Sequence, residues 1–242
     1  MINVVIPMAG LGARFIDKGY GKPKPFIIID GKMMIERVLD GLRLEGANYY
    51  LIIQEQFLSN NSDALRKIKS LFEVKFITVK EVTQGAACTA LAAHKFINND
   101  AAVLFADCDN IFFNDSVQLF VKNACDRNLE GSLLTFKSTD NRYSYAEIDI
   151  DSYVTRTREK VVISSNAIAG VYYFAKGSFF VDSAIDMMIY KGLTNGEYYM
   201  SNVYNHAILR GLKIGIFEIS MDNWACVGTP EQLGVYLGSQ SM

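Results

Sequence analysis

The sequence has 242 residues, of which 50% are hydrophobic and 21% are charged, and this composition favours a globular fold over a disordered one. The net charge of −2 and the lack of a basic block argue against a nucleic-acid or acidic-membrane partner. No apolar run is long enough to cross a bilayer, no signal peptide is expected, and the four cysteines lack CxxC spacing, so we expect a cytoplasmic protein with reduced thiols and no zinc site.

Short apolar runs alternate with helical patterns through the first half of the chain. The predicted strands are Asn3–Ile6, Tyr49–Ile53, Lys75–Val79 and Ala102–Phe105, and the predicted helices are Met33–Leu44, Asp63–Ser70 and Ala86–Phe96. This alternation predicts an α/β fold with a doubly wound, mostly parallel central sheet. Such a sheet binds its ligands at the carboxyl ends of its strands.

The pattern changes after Asn128, where polar turns separate shorter strands. The predicted elements are strands Ser132–Lys137, Tyr145–Ile150, Val161–Ser164 and Ala167–Phe174, helices Ser178–Tyr190 and Tyr198–Arg210, strand Lys213–Ile219 and helix Thr229–Leu237. Thr229 followed by Pro230 predicts an N-cap with proline at the first helical position. No repeat or linker interrupts the chain, so we expect one domain of residues 1–242.

A glycine-rich turn, Gly10-Leu11-Gly12-Ala13-Arg14, follows the first predicted strand. Such a turn exposes main-chain N–H groups that can hold phosphate oxygens, although a glycine pair can also be only a tight turn. The dinucleotide pattern GxGxxG fails at Phe15, and no Gly-Lys pair is followed by the Ser or Thr of a P-loop. An arginine in the turn and a proline-flanked Lys24 shortly after it favour a phosphate site.

Asp107-Cys108-Asp109 forms a DxD sequence after a predicted strand. Mg²⁺ prefers hard oxygen ligands and binds through one or two carboxylates together with phosphates and water. The alternative is that both aspartates only cap the following turn. We assign Asp109 to the metal and Asp107 to its support.

These motifs together resemble the sugar-phosphate nucleotidylyltransferases, the superfamily of glucose-1-phosphate thymidylyltransferase. The resemblance covers nearly the whole chain, in the family's order: Gly10–Arg14 with Pro23-Lys24-Pro25, Gln84-Gly85-Ala86-Ala87, Asp109-Asn110, Glu159-Lys160, Gly170-Val171-Tyr172-Tyr173-Phe174, and Trp224 with Gly228-Thr229-Pro230-Glu231. It implies transfer of a nucleoside monophosphate from an NTP to a phosphorylated small molecule, with release of pyrophosphate. It also implies a Rossmann-like nucleotide-binding half, residues 1–128, and an acceptor-binding half, residues 129–242, with a smaller β lobe.

The resemblance assigns a role to each candidate site residue. Arg14 should hold the triphosphate, Lys24 should lie between the α-phosphate and the acceptor phosphate, and Lys160 should hold the acceptor phosphate. The implied nucleotide-binding residues are Met8, Ala9, Gly10, Leu11, Gly12, Ala13, Gln84, Gly85 and Ala86. The implied acceptor-binding residues are Tyr145, Glu159, Gly170 and Tyr172, and the implied metal is Mg²⁺ at Asp109.

One position departs from the family's pattern. Where the family often carries a second metal-binding aspartate, this chain has Cys226, and a thiol is a poor ligand for Mg²⁺. Either Asp109 and the phosphates hold the metal, or Asp222 reaches the site, or the activity is altered.

Two other functions stay open at this point. A glycosyltransferase could use the DxD sequence to bind a sugar nucleotide, and a regulatory subunit could bind nucleotides without turning them over. The opening Ile6-Pro7-Met8-Ala9-Gly10 resembles enzymes of bacterial surface-polysaccharide clusters, some of which are cytidylyltransferases acting on phosphocholine or phosphoglutamine. This resemblance favours CTP as donor. The expected partners are an NTP and a phosphorylated acceptor, with self-association left open.

Overall fold

A computed structural model describes residues 1–240 of the chain. Its strands are β1 (Ile2–Pro7), β2 (Ile28–Ile29), β3 (Lys32–Met33), β4 (Asn48–Gln54), β5 (Val74–Val79), β6 (Ala102–Ala106), β7 (Asn110–Phe112), β8 (Gly131–Lys137), β9 (Ser144–Ile148), β10 (Val154–Glu159), β11 (Asn166–Phe174), β12 (Ile214–Glu218) and β13 (Trp224–Cys226). Its α-helices are α1 (Ala13–Asp17), α2 (Met34–Gly41), α3 (Phe57–Asn60), α4 (Ser62–Leu71), α5 (Ala86–Leu91), α6 (His94–Ile97), α7 (Ser116–Asp126), α8 (Gly177–Ile189), α9 (Met200–Leu209) and α10 (Pro230–Gln240). Short 3₁₀-helices cover Lys24–Phe26 and Met221–Asn223.

The main sheet has a parallel half and a largely antiparallel half. Strands β6, β1, β4 and β5 are parallel neighbours in that order. Strand β11 pairs antiparallel with β6 and continues the sheet through β8 and β9, while β10 pairs with β9 and β12 pairs parallel with β8. The predicted α/β class with a parallel central sheet is confirmed, and antiparallel pairing is concentrated in the second half of the chain.

Alternation along the central strands sends side chains to two separate cores, because successive residues of a strand point to opposite faces. In β1, Val4 and Ile6 join the core on one face, and Val5 joins the core on the other. Helices α2, α4 and α7 cover the first face, and α5, α6, α8 and α9 cover the second. Helices on both faces make the sheet doubly wound, as predicted.

Local signals explain where several helices form. Four apolar residues of α2 recur at three- and four-residue spacing and are buried: Met34, Ile35, Val38 and Leu39. At α10, the hydroxyl of Thr229 accepts a hydrogen bond from the Gln232 N–H at 3.2 Å, and Pro230 is the first helical residue. This confirms the predicted N-cap.

Two predicted elements are wrong. The strand expected at Val161–Ser164 lies earlier, at β10, where Val154, Thr157 and Glu159 are buried while both arginines between them are exposed. Two of these three buried residues are polar, so hydrophobic periodicity does not reveal the strand. The helix expected over Ala86–Phe96 is divided into α5 and α6, because the N–H groups of Ala92 and Ala93 bond three residues back and tighten the turn.

The topology brings the candidate motifs to one edge of the sheet. Strands β1 and β6 are adjacent and parallel, so the turn after β1 and the aspartates after β6 emerge side by side. Strand β11 lies antiparallel beside β6, and its residue Val171 pairs with Ala106 at this same edge. Within residues 1–240, no helix is both long enough and apolar enough to span a membrane.

Candidate active site

Two adjoining cavities lie at this edge of the sheet. The smaller, of about 450 Å³, is lined by predicted nucleotide-binding residues: Met8, Ala9, Gly10, Leu11, Gly12, Ala13, Gly85 and Ala86. The larger, of about 1090 Å³, is lined by Arg14, Glu159, Lys160, Gly170 and Tyr172. Lys24, Asp107 and Asp109 line both cavities. The structure therefore brings most of the predicted site residues together.

The turn after β1 is held in place by hydrogen bonds from buried groups. The side-chain amide of Gln54, at the end of β4, donates to the Ala9 carbonyl at 2.8 Å. The Met8 N–H donates to the Ile52 carbonyl at 2.9 Å. Met8 and Ala9 are buried, whereas Gly10, Leu11, Ala13 and Arg14 are exposed around the cavities. The turn thus presents its second half, and the first residues of α1, to a ligand.

An ion pair between Lys24 and Asp109 lies where the two cavities meet. Lys24 Nζ is 2.5 Å from Asp109 Oδ2, and the two side chains are 20% and 17% exposed. Burial disfavours the charged lysine, but Asp109, with smaller contributions from Cys108 and Asp107, raises the pKa of Lys24 above its ordinary value. The buried residues Pro25 and Phe26 follow Lys24 directly and anchor its main chain. Lys24 is therefore held in its charged form at the junction, paired with Asp109.

Asp107 lies beneath this pair. Burial, followed by repulsion from Asp109, raises the pKa of Asp107 to about 8, against attraction from Lys24. Its N–H donates to the Gly170 carbonyl at 2.9 Å. A Cβ on Gly170, whose φ is +73°, would lie 2.3 Å from Asp107 Oδ2 and 2.3 Å from Asn110 Nδ2. Gly170 is therefore needed to leave room for these two polar side chains.

The wall of the larger cavity carries the Glu159-Lys160 pair. Glu159 is buried, and its Oε2 accepts hydrogen bonds from the hydroxyls of Ser144 and Ser201. Lys160 is exposed, and its Nζ donates to the Tyr199 hydroxyl at 3.1 Å. The pair offers a carboxylate and an ammonium group to the same space.

Tyr172 completes this wall. It is buried at 6% exposure, and burial, followed by the nearby Asp107, raises the pKa of its hydroxyl well above the ordinary value. The hydroxyl of Tyr172 is therefore neutral at neutral pH.

Two predicted site residues lie outside both cavities. The Tyr145 side chain is fully buried, and its hydroxyl donates to the Asp140 carbonyl at 2.7 Å, which makes it part of the core beneath the site. The Gln84 side chain is exposed and lines neither cavity, and its carbonyl accepts a hydrogen bond from the Tyr198 N–H at 2.9 Å. The Tyr145 side chain is therefore not placed to contact a ligand of these cavities.

Cys226 lies beside Asp109, as its place in the family's motif pattern implies. Strands β13 and β7 pair Cys226 with Asn110. A Cβ on Gly228 would lie 2.5 Å from Asp109 Oδ2 and 3.5 Å from Cys226 Sγ, so the thiol and the carboxylate border the same glycine. Burial, with repulsion from Asp109, raises the pKa of Cys226 to about 12, and the thiol is therefore protonated at neutral pH.

The carboxylates fit a divalent metal only in part. Among the described residues, no group of three or more His, Cys, Asp or Glu side chains could hold a metal ion. Asp109 and Asp107 supply hard oxygens, but Mg²⁺ would need phosphate oxygens and water to complete its ligands. The donor set therefore fits a metal that is shared with a phosphorylated substrate.

Two serines of the site carried no signal in the sequence. Ser144 of β9 lines the larger cavity, Ser201 at the start of α9 contacts Glu159, and single serines do not form a motif. Asn110 had a signal, because it follows Asp109 directly. Its Oδ1 is buried without a hydrogen-bond partner within the described chain, and the residue lines the larger cavity.

Comparison with known proteins agrees with this architecture. The chain matches 97% of its length to 99% of a nucleoside-diphosphate-sugar pyrophosphorylase from Vibrio cholerae RC9, with a TM-score of 0.83 and 20% identity. It matches 98% of its length to 95% of the inositol-1-phosphate CTP transferase from T. maritima, with a TM-score of 0.76 and 15% identity. At these identities the likeness establishes the shared fold.

Sequence comparison adds the family. The chain is 23% identical over 235 residues to the bifunctional protein GlmU of Methanocaldococcus jannaschii, an alignment that covers 95% of this chain and 52% of that protein. The chain spans about half or less of the length of the curated relatives it matches. The family model described as Nucleotidyl transferase matches residues 3–235, nearly the whole chain. The chain therefore belongs to the nucleotidyl transferase family.

Proposed function

We propose that this chain transfers a nucleoside monophosphate from an NTP to a phosphorylated small molecule and releases pyrophosphate. The observation that carries the proposal is the Lys24–Asp109 ion pair at the junction of the two cavities. Two polyanions must meet for this reaction, so a fixed positive charge between their binding sites lowers the repulsion in the transition state. Family membership supports the same chemistry.

In the proposed reaction, an acceptor phosphate oxygen attacks the α-phosphorus of the NTP. The new P–O bond forms as the bond to the pyrophosphate oxygen breaks, and pyrophosphate leaves. The turn of residues 8–13 and Arg14 bind the triphosphate, and Lys24 neutralises charge between the two substrates. Lys160 holds the acceptor phosphate, while Glu159, Gly170 and Tyr172 shape the acceptor cavity. Residues 1–128 thus serve the donor and residues 129–242 serve the acceptor.

Asp109, supported by Asp107, would hold Mg²⁺ together with phosphate oxygens. The metal would supply charge neutralisation at the phosphates when bound. Lys24 already pairs with Asp109, so the lysine and the metal would share one carboxylate. The protonated thiol of Cys226 adds no charge to this site.

We further propose CTP as the donor and a cytoplasmic role in making precursors of a bacterial surface polysaccharide. The motif resemblance described above supports this assignment. A cytoplasmic location suits an enzyme that consumes NTPs. The glycosyltransferase alternative loses support, because the matching family model is that of nucleotidyl transferases.

The experiment is a pyrophosphate-release screen with purified protein. It crosses ATP, CTP, GTP, UTP and dTTP with glucose 1-phosphate, inositol 1-phosphate, phosphocholine and phosphoethanolamine, with Mg²⁺ present. We expect acceptor-dependent pyrophosphate release for at least one pair, fastest with CTP. Nucleotide binding by calorimetry without release for any acceptor would instead favour the non-catalytic regulatory subunit.

A further inference from the structure

A short segment, Tyr198–Ser201, connects the two sides of the site. Its first residue is joined to the loop before α5, because the Tyr198 N–H donates to the Gln84 carbonyl at 2.9 Å and the Ala87 N–H donates to the Tyr198 carbonyl at 3.1 Å. A Cβ on Gly85 would lie 2.6 Å from the Tyr198 oxygen and 2.7 Å from its nitrogen. Only glycine permits this close approach, so the segment is fixed against the smaller cavity.

The next residue, Tyr199, contacts Lys160. Lys160 Nζ donates to the Tyr199 hydroxyl at 3.1 Å and lies 5.2 Å from the centre of its ring. Within residues 1–240, Lys160 has no carboxylate within ion-pair distance. The tyrosine therefore restricts the lysine side chain without neutralising its charge, which stays available to a phosphate.

The last residue of the segment, Ser201, contacts Glu159. The Ser201 hydroxyl donates to Glu159 Oε2 at 3.0 Å, and the Ser144 hydroxyl donates to the same oxygen. Ser201 is fully buried, and Ser144 and Glu159 are 9% and 8% exposed. Both donors thus converge on Oε2, and in the described structure Oε1 accepts no hydrogen bond.

We infer that Tyr199, Ser201 and Ser144 are positioning residues for the acceptor-binding pair Lys160 and Glu159, an inference that rests on the proposed function. The two serines orient the carboxylate so that Oε1 is the oxygen left for the acceptor. A carboxylate oxygen only accepts hydrogen bonds, so the acceptor must present a hydroxyl or an N–H group near its phosphate. Tyr199 holds the ammonium group that binds that phosphate.

The test measures steady-state kinetics with the acceptor that the screen identifies. The variants are Ser201→Ala, Ser144→Ala and Tyr199→Phe, each of which removes one hydroxyl. Ser144→Thr is the conservative variant, because it keeps a hydroxyl on the same strand. Ser183→Ala is the matched control for a buried serine, since Ser183 is fully buried and its hydroxyl donates only to the Phe179 carbonyl within α8. Thermal melts check that each variant folds.

We expect each serine-to-alanine variant to raise the acceptor KM about tenfold, the cost of about one hydrogen bond to a charged group, with the KM for NTP within about twofold. Tyr199→Phe should raise the acceptor KM less, because the ring stays in contact with Lys160. Ser144→Thr should keep the acceptor KM close to the wild-type value, and Ser183→Ala should leave the KM values of both substrates unchanged.

Two results would overturn the inference. One is an acceptor KM that is the same in Ser201→Ala and Ser144→Ala as in an active wild-type protein. The other is a rise of the NTP KM that equals the rise of the acceptor KM, which would indicate a general loss of structure. A protein that releases no pyrophosphate with any acceptor would instead refute the proposed function, and the inference with it.

A series of acceptor analogues distinguishes the two hydrogen-bond donors that could bind Oε1, a hydroxyl and an N–H group. If the screen selects glucose 1-phosphate, its deoxy analogues identify the hydroxyl involved, and if it selects phosphoethanolamine, N-methylation removes the N–H groups one at a time. In each case Glu159→Gln should reduce the preference for the acceptor that carries the hydrogen-bond donor over the analogue that lacks it. Equal turnover of every analogue would show that Oε1 accepts no hydrogen bond from the acceptor, which contradicts the inference.

Discussion

The side of this site proposed for the donor and the side proposed for the acceptor are built in different ways. The smaller cavity, proposed for the donor, is lined by the continuous turn of residues 8–13 together with Gly85 and Ala86, and three of these residues, Gly10, Gly12 and Gly85, have no side chain to cover their main-chain groups. The acceptor side gathers side chains from β9, β10 and the start of α9, among them Ser144, Glu159 and Ser201. Main-chain groups can bind any triphosphate, whereas side chains can change one at a time. We therefore expect acceptor choice to vary more easily than donor binding.

The largest effect is expected where the two sides meet. Lys24→Ala removes the fixed charge between the substrates and should lower kcat by about 10²–10³, the usual loss for one charge-stabilising group. The KM values of both substrates should change less than kcat, because the charge matters most in the transition state. Steady-state kinetics against both substrates checks this prediction.

The matched control is Lys22→Ala. Lys22 lies two residues earlier, is exposed and lines neither cavity. It should leave turnover unchanged. A similar loss in both variants would mean that the basic segment acts only through its overall charge, and the junction would lose its special role.

The second effect concerns the carboxylate partner of Lys24. Asp109→Asn removes the charge assigned to the metal and should lower activity by about 10², with a higher Mg²⁺ concentration needed for half-maximal rate. Binding of Mn²⁺ in the presence of the NTP, followed by electron paramagnetic resonance, should weaken in the same variant. Unchanged Mn²⁺ binding would move the metal away from Asp109.

The same contrast explains what the sequence predicts well. The turn and Asp109 each lie within a few residues of a strand end, so a short motif and the α/β alternation locate them together, and Lys24 is located by its own motif, Pro23-Lys24-Pro25. The contacts around Glu159 and Lys160 depend on residues 15 to 42 positions away, such as Ser144 and Ser201. They also depend on β10, a strand of mostly polar residues that hydrophobic periodicity does not reveal. The prediction that Tyr145 binds the acceptor is wrong because its side chain points into the core. The residue type alone does not tell on which face of the strand a tyrosine lies.

The third effect tests whether the acceptor side acts separately. Lys160→Ala should raise the acceptor KM by about tenfold to 10²-fold, because a charge-assisted phosphate contact is lost. NTP affinity, measured by calorimetry, should change little, since Lys160 lies on the wall of the larger cavity that carries Glu159 and Tyr199, the residues assigned to the acceptor. Lys176→Ala, which removes a half-buried lysine that is paired with Asp100 and lines neither cavity, is the control. Weakened NTP binding with acceptor binding intact would place Lys160 on the donor side.

The smallest effect is expected at Cys226, the residue that borders Asp109 through Gly228. Its raised pKa of about 12 keeps the thiol protonated, so it supplies neither charge nor a suitable ligand to Mg²⁺. Cys226→Ser should keep activity within about twofold, because it replaces one neutral group with another of similar size. Activity against Mg²⁺ concentration, with a thermal melt as the folding check, measures the effect.

Cys226→Asp is the informative counterpart, because it adds a hard carboxylate beside Asp109. If the metal is held by Asp109 and phosphates alone, this variant should lower the Mg²⁺ concentration that gives half the maximal rate. It should also bind Mn²⁺ more tightly without NTP, since two adjacent carboxylates need less help from phosphate oxygens. An inactive Cys226→Ser variant beside an active Asp109→Asn variant would contradict both expectations. The thiol would then have a direct role, and the junction between the two sides would need a different metal site.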